Sequence, residues 1–177
     1  DKNHQLARAV EQVREMAIRD DLTGLFNRRH LLEILERQRA LLSRKGLPFA
    51  ICYVDLDHFK QINDRHGHDW GDRVLRRFSA LALAGMRDGD YFGRLGGEEF
   101  LLILPQSNEQ GALRVAERLR ERWREESFGQ EGGPNAVSLS VGVAACQEDE
   151  TVDELLNRAD QGLYKAKSGG RNQSRVA

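Results

Sequence analysis

Two strand-like runs, Tyr91-Phe92-Gly93-Arg94-Leu95 and Phe100-Leu101-Leu102-Ile103-Leu104, flank Gly96-Gly97-Glu98-Glu99, and this spacing restricts the fold more than any other part of the chain. A turn that short joins antiparallel neighbours only, since a parallel pair requires a crossover of about a dozen residues or more. Its glycines can supply the positive φ of a tight hairpin. Helical patterns surround the hairpin without strict βαβ alternation, so an α+β fold is expected rather than a doubly wound α/β sheet. At 177 residues the chain reads as one domain with an extension, long enough to bury a core without disulfide staples.

Phe49 to Val54 is a continuous run of apolar, aromatic and β-branched residues, read as a central strand covered on both faces, and it stops abruptly at Asp55-Leu56-Asp57. Ala136 to Ala145 alternates through Val137, Leu139, Val141 and Val143, which predicts a strand with one apolar face. A turn at Asp20-Asp21-Leu22-Thr23-Gly24 precedes a helix carrying Leu31, Ile34, Leu35, Leu41 and Leu42 that ends near Gly46-Leu47-Pro48. A loop and short helix over Phe59 to Trp70 leads to a helix from Asp72 to Met86, with Val74, Leu75, Phe78, Leu81 and Ala82 on one face. Ser107 with Gln110 predicts a capping box for a helix through Leu113, Ala116, Leu119 and Trp123. Thr151 with Glu154 predicts another for a last helix through Leu155, Leu156, Ala159, Leu163 and Ala166. Residues 1–19 space Leu6, Ala9, Val13 and Met16 by threes and fours, giving a connector helix that either packs on its own domain or forms a dimer stalk.

Charge narrows the function. The 27 basic and 28 acidic residues leave a net charge of −1, so neither duplex nucleic acid nor an anionic membrane surface is expected as the main ligand. No apolar run reaches the roughly 20 residues of a membrane helix, and no leader pattern is present. A cytoplasmic fragment is expected, with an upstream membrane anchor left open because the chain begins at Asp1 rather than Met. Cys52 and Cys146 lie far apart in apolar stretches and read as two buried reduced thiols.

The chemistry gathers at strand ends. Asp55, Glu98 and Glu99 converge if their strands are neighbours, and unpaired converging carboxylates repel. A hard cation resolves that repulsion, magnesium above all where phosphates complete its shell, and solvated hairpin charges are the alternative. Lys60 follows the Asp55 strand, while Lys167 and Arg171 stand astride Ser168-Gly169-Gly170. Carboxylates that can hold a metal, together with several cations, suit phosphoryl transfer to or from a polyphosphate, whose catalysis is mostly positioning and charge stabilisation. There is no GxxxxGK[ST] loop, no dinucleotide fingerprint, no GxSxG, and no Cys or further His at zinc spacing from His66 and His68.

Arg94-Leu95-Gly96-Gly97-Glu98-Glu99-Phe100 resembles the signature of the GGDEF-domain diguanylate cyclases in its GGEEF form. Asp20-Asp21-Leu22-Thr23-Gly24-Leu25-Phe26-Asn27-Arg28, Asp55-Leu56-Asp57-His58-Phe59-Lys60-Gln61-Ile62-Asn63-Asp64 and Gly67-His68-Asp69-Trp70-Gly71-Asp72 match in order. Ser140-Val141-Gly142, Arg158-Ala159-Asp160 and Tyr164-Lys165-Ala166-Lys167-Ser168-Gly169-Gly170-Arg171-Asn172 follow, so the likeness spans residues 20–172.

The resemblance implies a central, mostly antiparallel five-stranded sheet flanked by helices, similar to nucleotide cyclase and polymerase palm domains. It implies a connector over 1–19 and a catalytic domain over 20–177. The activity implied is condensation of two GTP into cyclic di-GMP and two pyrophosphates. Asp55, the Leu56 carbonyl and Glu98 would hold magnesium, with manganese as the alternative ion, and Glu98 or Glu99 could take the proton unless a metal-activated alkoxide makes a base unnecessary. Lys60, Lys167 and Arg171 match phosphate positions, Lys60 being the better placed to stabilise transition-state charge. Asn63 and Asp72 match guanine contacts, and Phe59 and His68 belong to the same substrate pocket. A carboxylate accepts from guanine N1–H and its amine, which adenine cannot offer. Two half-sites must face each other, so a homodimer is implied, its encounter controlled by the N-terminal helix. Arg87-Asp88-Gly89-Asp90 matches the family's RxxD inhibitory site, with Arg118 as a further arginine for the product. The rival readings are a silent domain that senses GTP or product, and a structural dimerisation domain.

Overall fold

The computed structural model describes residues 2–126, 128, 133–134 and 136–177. Its elements run α1 (Lys2–Ile18), α2 (Arg28–Lys45), β1 (Phe49–Leu56), α3 (Phe59–His66), α4 (His68–Ala84), β2 (Tyr91–Gly96), β3 (Glu99–Pro105), α5 (Glu109–Arg124), β4 (Leu139–Ala145), α6 (Val152–Ser168) and β5 (Ser174–Val176). The sheet order is β2-β3-β1-β4-β5, antiparallel throughout except for the parallel β4–β5 pair. The α+β class and the hairpin of β2 and β3 are as expected.

β1 is the middle strand because it is apolar on both faces. Its Ala50, Cys52, Val54 and Leu56 join Val74, Leu75 and Phe78 of α4 and Ala112, Ala116, Leu119 and Trp123 of α5 in one core. Its Phe49 and Ile51 face Leu31, Ile34 and Leu35 of α2 and Leu155 and Ala159 of α6 in the other. Phe78 anchors the first layer, with ring centroids of Phe100 at 4.8 Å and Trp123 at 5.2 Å in edge-on geometry. Each such pair contributes about 0.5–1.5 kcal/mol beyond its buried area.

Several expectations are corrected. β4 starts at Leu139 rather than Ala136, and both of its faces are buried. Its second face is built from small residues: a Cβ on Gly142 would lie 1.9 Å from the Ala159 carbonyl oxygen, and this close approach of α6 covers the face that alternation alone leaves polar. β1 continues through Leu56, since its partners run on to Glu99 and Leu139. α4 starts at His68, four residues before Asp72, and stops before Gly85. Asn108, not Ser107, caps α5, accepting from the Gly111 N–H at 2.8 Å. The Thr151–Glu154 capping box of α6 is present. β5, a three-residue edge strand, carried no apolar signal in the sequence. Cys52 is buried, whereas Cys146 is only half-buried.

No residue of α1 is buried, and Leu6, Val10, Val13 and Met16 are 60–78% exposed. Its apolar stripe therefore does not pack on its own domain. The helix is tied to the domain at its end, where Asn27 and Arg29 donate to the Ala17 carbonyl at 2.9 and 2.8 Å.

Candidate active site

β1 leaves the core at Asp55, which the β1–β3 register sets opposite Glu99, while the Leu56 N–H donates to the Glu98 carbonyl at 3.2 Å. Apolar side chains hold both strands at the centre of the sheet, so the turn delivers its two glutamates to the strand end. Gly96 and Gly97 take φ of 148° and 50°, and the register shift between Arg94 and Gly96 bends the ribbon there. Arg94 braces the turn by donating to the Gly97 carbonyl at 2.8 Å and to the Asp20 carboxylate at 3.2 and 3.3 Å. Burial pushes the Asp20 carboxyl up, but the Thr23 hydrogen bonds and Arg94 outweigh it and hold it below the usual range.

Asp55 is 5% exposed, and burial is the main cause that pushes its carboxyl up to about 6. Lys167 opposes the shift, its Nζ donating to Oδ2 at 2.8 Å, while the charges of Glu98 and Glu99 add to it. A carboxylate with that proton affinity, beside two glutamates and a backbone carbonyl, is a donor set of hard oxygens short of positive charge. Among the described residues no three His, Cys, Asp or Glu side chains gather closely enough to enclose an ion. A cation at this place would take the rest of its shell from phosphate and water oxygens, which is the habit of magnesium.

The structure also brings a second group together, at the α3–α4 corner. Asn63 Oδ1 is buried and has no hydrogen-bond partner among the described residues. It sits where a Cβ on Gly71 would be 1.9 Å away, so the glycine makes room for the amide, and Asp72 is the next residue along. Phe59 is a buried core residue whose ring lines the same spot from beneath. His68 is exposed at the first position of α4, and Lys60 is exposed on the first turn of α3, directly after the strand end. Arg171 is exposed in the turn after α6.

Two side chains given no role in the sequence shape this region. Asp57, 4% exposed, accepts from the Ser138 and Ser140 hydroxyls at 2.7 and 2.8 Å and from the Asn172 N–H at 3.1 Å. It fastens the β1–α3 loop to β4 and to the turn where Arg171 and Asn172 take φ of 62° and 48°. Serines two apart in an apolar strand were the available signal. Tyr53 donates its hydroxyl to Glu99 Oε2 at 3.2 Å, and burial, with Glu99 and Asp160 adding, pushes the phenol well above its usual range.

Arg87, Asp90 and Arg118 stand apart from this cluster, in a cavity of about 640 Å³ that Arg114, Ser107 and Asn108 also line. Arg87 donates to Asp90 at 2.8 Å, to Ser107 at 3.0 Å and to the Pro105 carbonyl. Pro105 and Glu99 are the two ends of β3, so the cavity and the acidic turn lie roughly 20 Å apart along that strand.

Fold and site together define an antiparallel-sheet α+β domain whose acidic hairpin turn meets the carboxylate end of its central strand. The family described as diguanylate cyclase, GGDEF domain, matches residues 17–173, and the chain belongs to it. It is 38% identical over 168 residues to the diguanylate cyclase DgcP of Pseudomonas aeruginosa, covering 95% of this chain and 25% of that protein. It is 40% identical over 155 residues to the diguanylate cyclase DosC of Escherichia coli, covering 87% of this chain and 34% of that protein. The chain thus spans about a quarter to a third of the curated relatives it matches. The crystal structure of the coiled coil and GGDEF domain of DgcB from Caulobacter crescentus, in complex with c-di-GMP, superposes with a TM-score of 0.94 at 30% identity, covering 99% of this chain and 94% of that one.

Proposed function

We propose that this chain is a diguanylate cyclase, condensing two GTP into cyclic di-GMP and two pyrophosphates. The observation that carries the reading is the meeting of Asp55, Glu98 and Glu99 at one strand end beside Lys167, in a chain of this family.

In this reading Asp55, the Leu56 carbonyl and Glu98 would hold magnesium, which when bound would supply positive charge at the α-phosphate and lower the pKa of the attacking 3′-hydroxyl. Lys60, Lys167 and Arg171 bind the phosphates, and Lys60 stabilises charge as the P–O bond forms. Lys167, whose Nζ donates to Asp55 at 2.8 Å, would add its positive charge at the same strand end. Glu98 or Glu99 accepts the proton. Asn63 and Asp72 bind guanine, with His68 at the rim and Phe59 as floor; the unpartnered Asn63 Oδ1 is an acceptor waiting for a donor such as the guanine amine. Bound ATP would leave these acceptors unpaired, which disfavours it.

A product with two phosphodiester links requires two half-sites in register, hence a two-fold dimer. The exposed stripe of α1 suits a stalk that raises the effective concentration of the partner domain. Residues 1–19 then form the connector and 20–177 the catalytic domain. The cavity of Arg87, Asp90 and Arg118 suits cyclic di-GMP as inhibitor.

The test is to incubate the concentrated domain with GTP and magnesium and to seek cyclic di-GMP by mass, alone and fused to a dimeric coiled coil. Product formation in either supports the reading. GTP binding without product in both identifies a sensor, and absence of binding a structural module.

A further inference from the structure

β1 is buried along its whole length except at Tyr53, the one half-buried residue in its eight. Tyr53 lies two positions before Asp55, on the same face of the sheet, and is paired with Leu101 while Asp55 is paired with Glu99. That makes Tyr53 and Glu99 diagonal neighbours across the ladder, a separation that an aromatic side chain spans. The phenol reaches Glu99 Oε2 at 3.2 Å, and this is the hydrogen bond described for its hydroxyl. Asp160 from α6 and Arg28 from α2 are the other charged groups that face it.

We propose that Tyr53 is a positioning residue that holds the Glu99 carboxylate at the strand end, fixing which oxygen is presented to the reacting groups. Glu99 has three rotatable bonds and two negative neighbours, Asp55 and Glu98, so without a donor its side chain swings away from them into solvent. The Tyr53 hydroxyl binds one oxygen and leaves the other free. Its rigid ring, packed in the α2–α6 layer, sets the direction of that free oxygen. A misplacement of about 1 Å in such a group can cost up to a hundredfold in rate.

This inference rests on the cyclase reading. The test is Tyr53→Phe, which keeps the ring and removes the hydroxyl. In the dimer-fused domain with magnesium and GTP, kcat is expected to fall roughly tenfold with KM for GTP within about twofold, because the contact acts on geometry in the transition state rather than on binding. A double-mutant cycle with Glu99→Ala, which removes the acceptor, read by thermal melting without metal or GTP, is expected to show that Tyr53→Phe costs little once Glu99 is already changed. An unchanged kcat in Tyr53→Phe, additive effects in the cycle, or a rise in KM alone each overturns the proposal. A wild-type domain that makes no product overturns the cyclase reading instead, and the melting cycle still decides whether Tyr53 acts through Glu99.

Discussion

At the scale of single residues, the site is a set of costs that a ligand removes. Burial raises the Asp55 carboxyl from the usual 3.8 to about 6. Between about pH 4 and 6 the folded chain therefore holds a proton that the unfolded chain has lost. This contribution stabilises the fold below about pH 4 and is lost as pH rises through about 6. A shift of that size corresponds to about 3 kcal/mol. Asp55→Asn is accordingly expected to raise the melting temperature of the metal-free domain at pH 7.5 by several degrees while abolishing cyclic di-GMP formation. Magnesium with GTP should raise the melting temperature of the wild type at that pH and leave the variant unmoved. Gly71→Ala tests the other half of the site. The added methyl displaces the end of the Asn63 side chain and crowds the buried Phe59 ring at 3.1 Å, so stability should fall by about 1–3 kcal/mol while KM for GTP rises about tenfold.

At the scale of elements, α6 is the lever of the site. It lies close on β4 because Gly142 has no side chain, and that closeness brings Lys167 to Asp55 and lets Asp57 catch the Asn172 N–H beyond the helix end. Gly142→Ala would collide with backbone atoms of Ala159 and Leu163, which cannot rotate away. A loss of about 3 kcal/mol or more is expected in denaturant titration, with turnover falling further than stability explains as Lys167 and Arg171 shift together. The hairpin is the second such element. Its aim depends on Arg94 linking the turn to Asp20, so it is coupled to the short segment that joins α1 to α2.

At the scale of the molecule, the cyclase reading makes catalysis and control depend on a second copy. α1 exposes its apolar stripe, and its last turn is fastened to the domain. Removing residues 2–18 is expected to make specific activity rise with protein concentration, where the chain with α1 reaches its plateau at lower concentration; a rate assay across a concentration series checks this. Added cyclic di-GMP is expected to slow turnover, and Arg87→Ala to abolish that effect with little change in initial rate, since Arg87 lies at the far end of β3 from the acidic turn.

Read as a string, the chain already carries the α+β class, the antiparallel hairpin, a central strand covered on both faces, the end of α2 at Gly46 and the capping box of α6. These follow from short-range physics: turn length, the periodicity of apolar residues, and side-chain oxygens placed before helices. Its matched blocks also named the acidic and basic residues of the candidate site. Which neighbours those residues acquire depends on how distant elements pack. No pattern in the chain says that β4 is covered on both faces, since the covering helix comes close through the absence of a side chain at Gly142. Nothing local gives Asp57 its three donors or Tyr53 its carboxylate, because each partner arrives from an element more than 40 residues away. The strand β5 is equally silent, being three residues that pair only because β4 is already in place. Hydrogen bonds between distant elements depend on packing that the whole core must first supply, so they are readable only once the fold has formed.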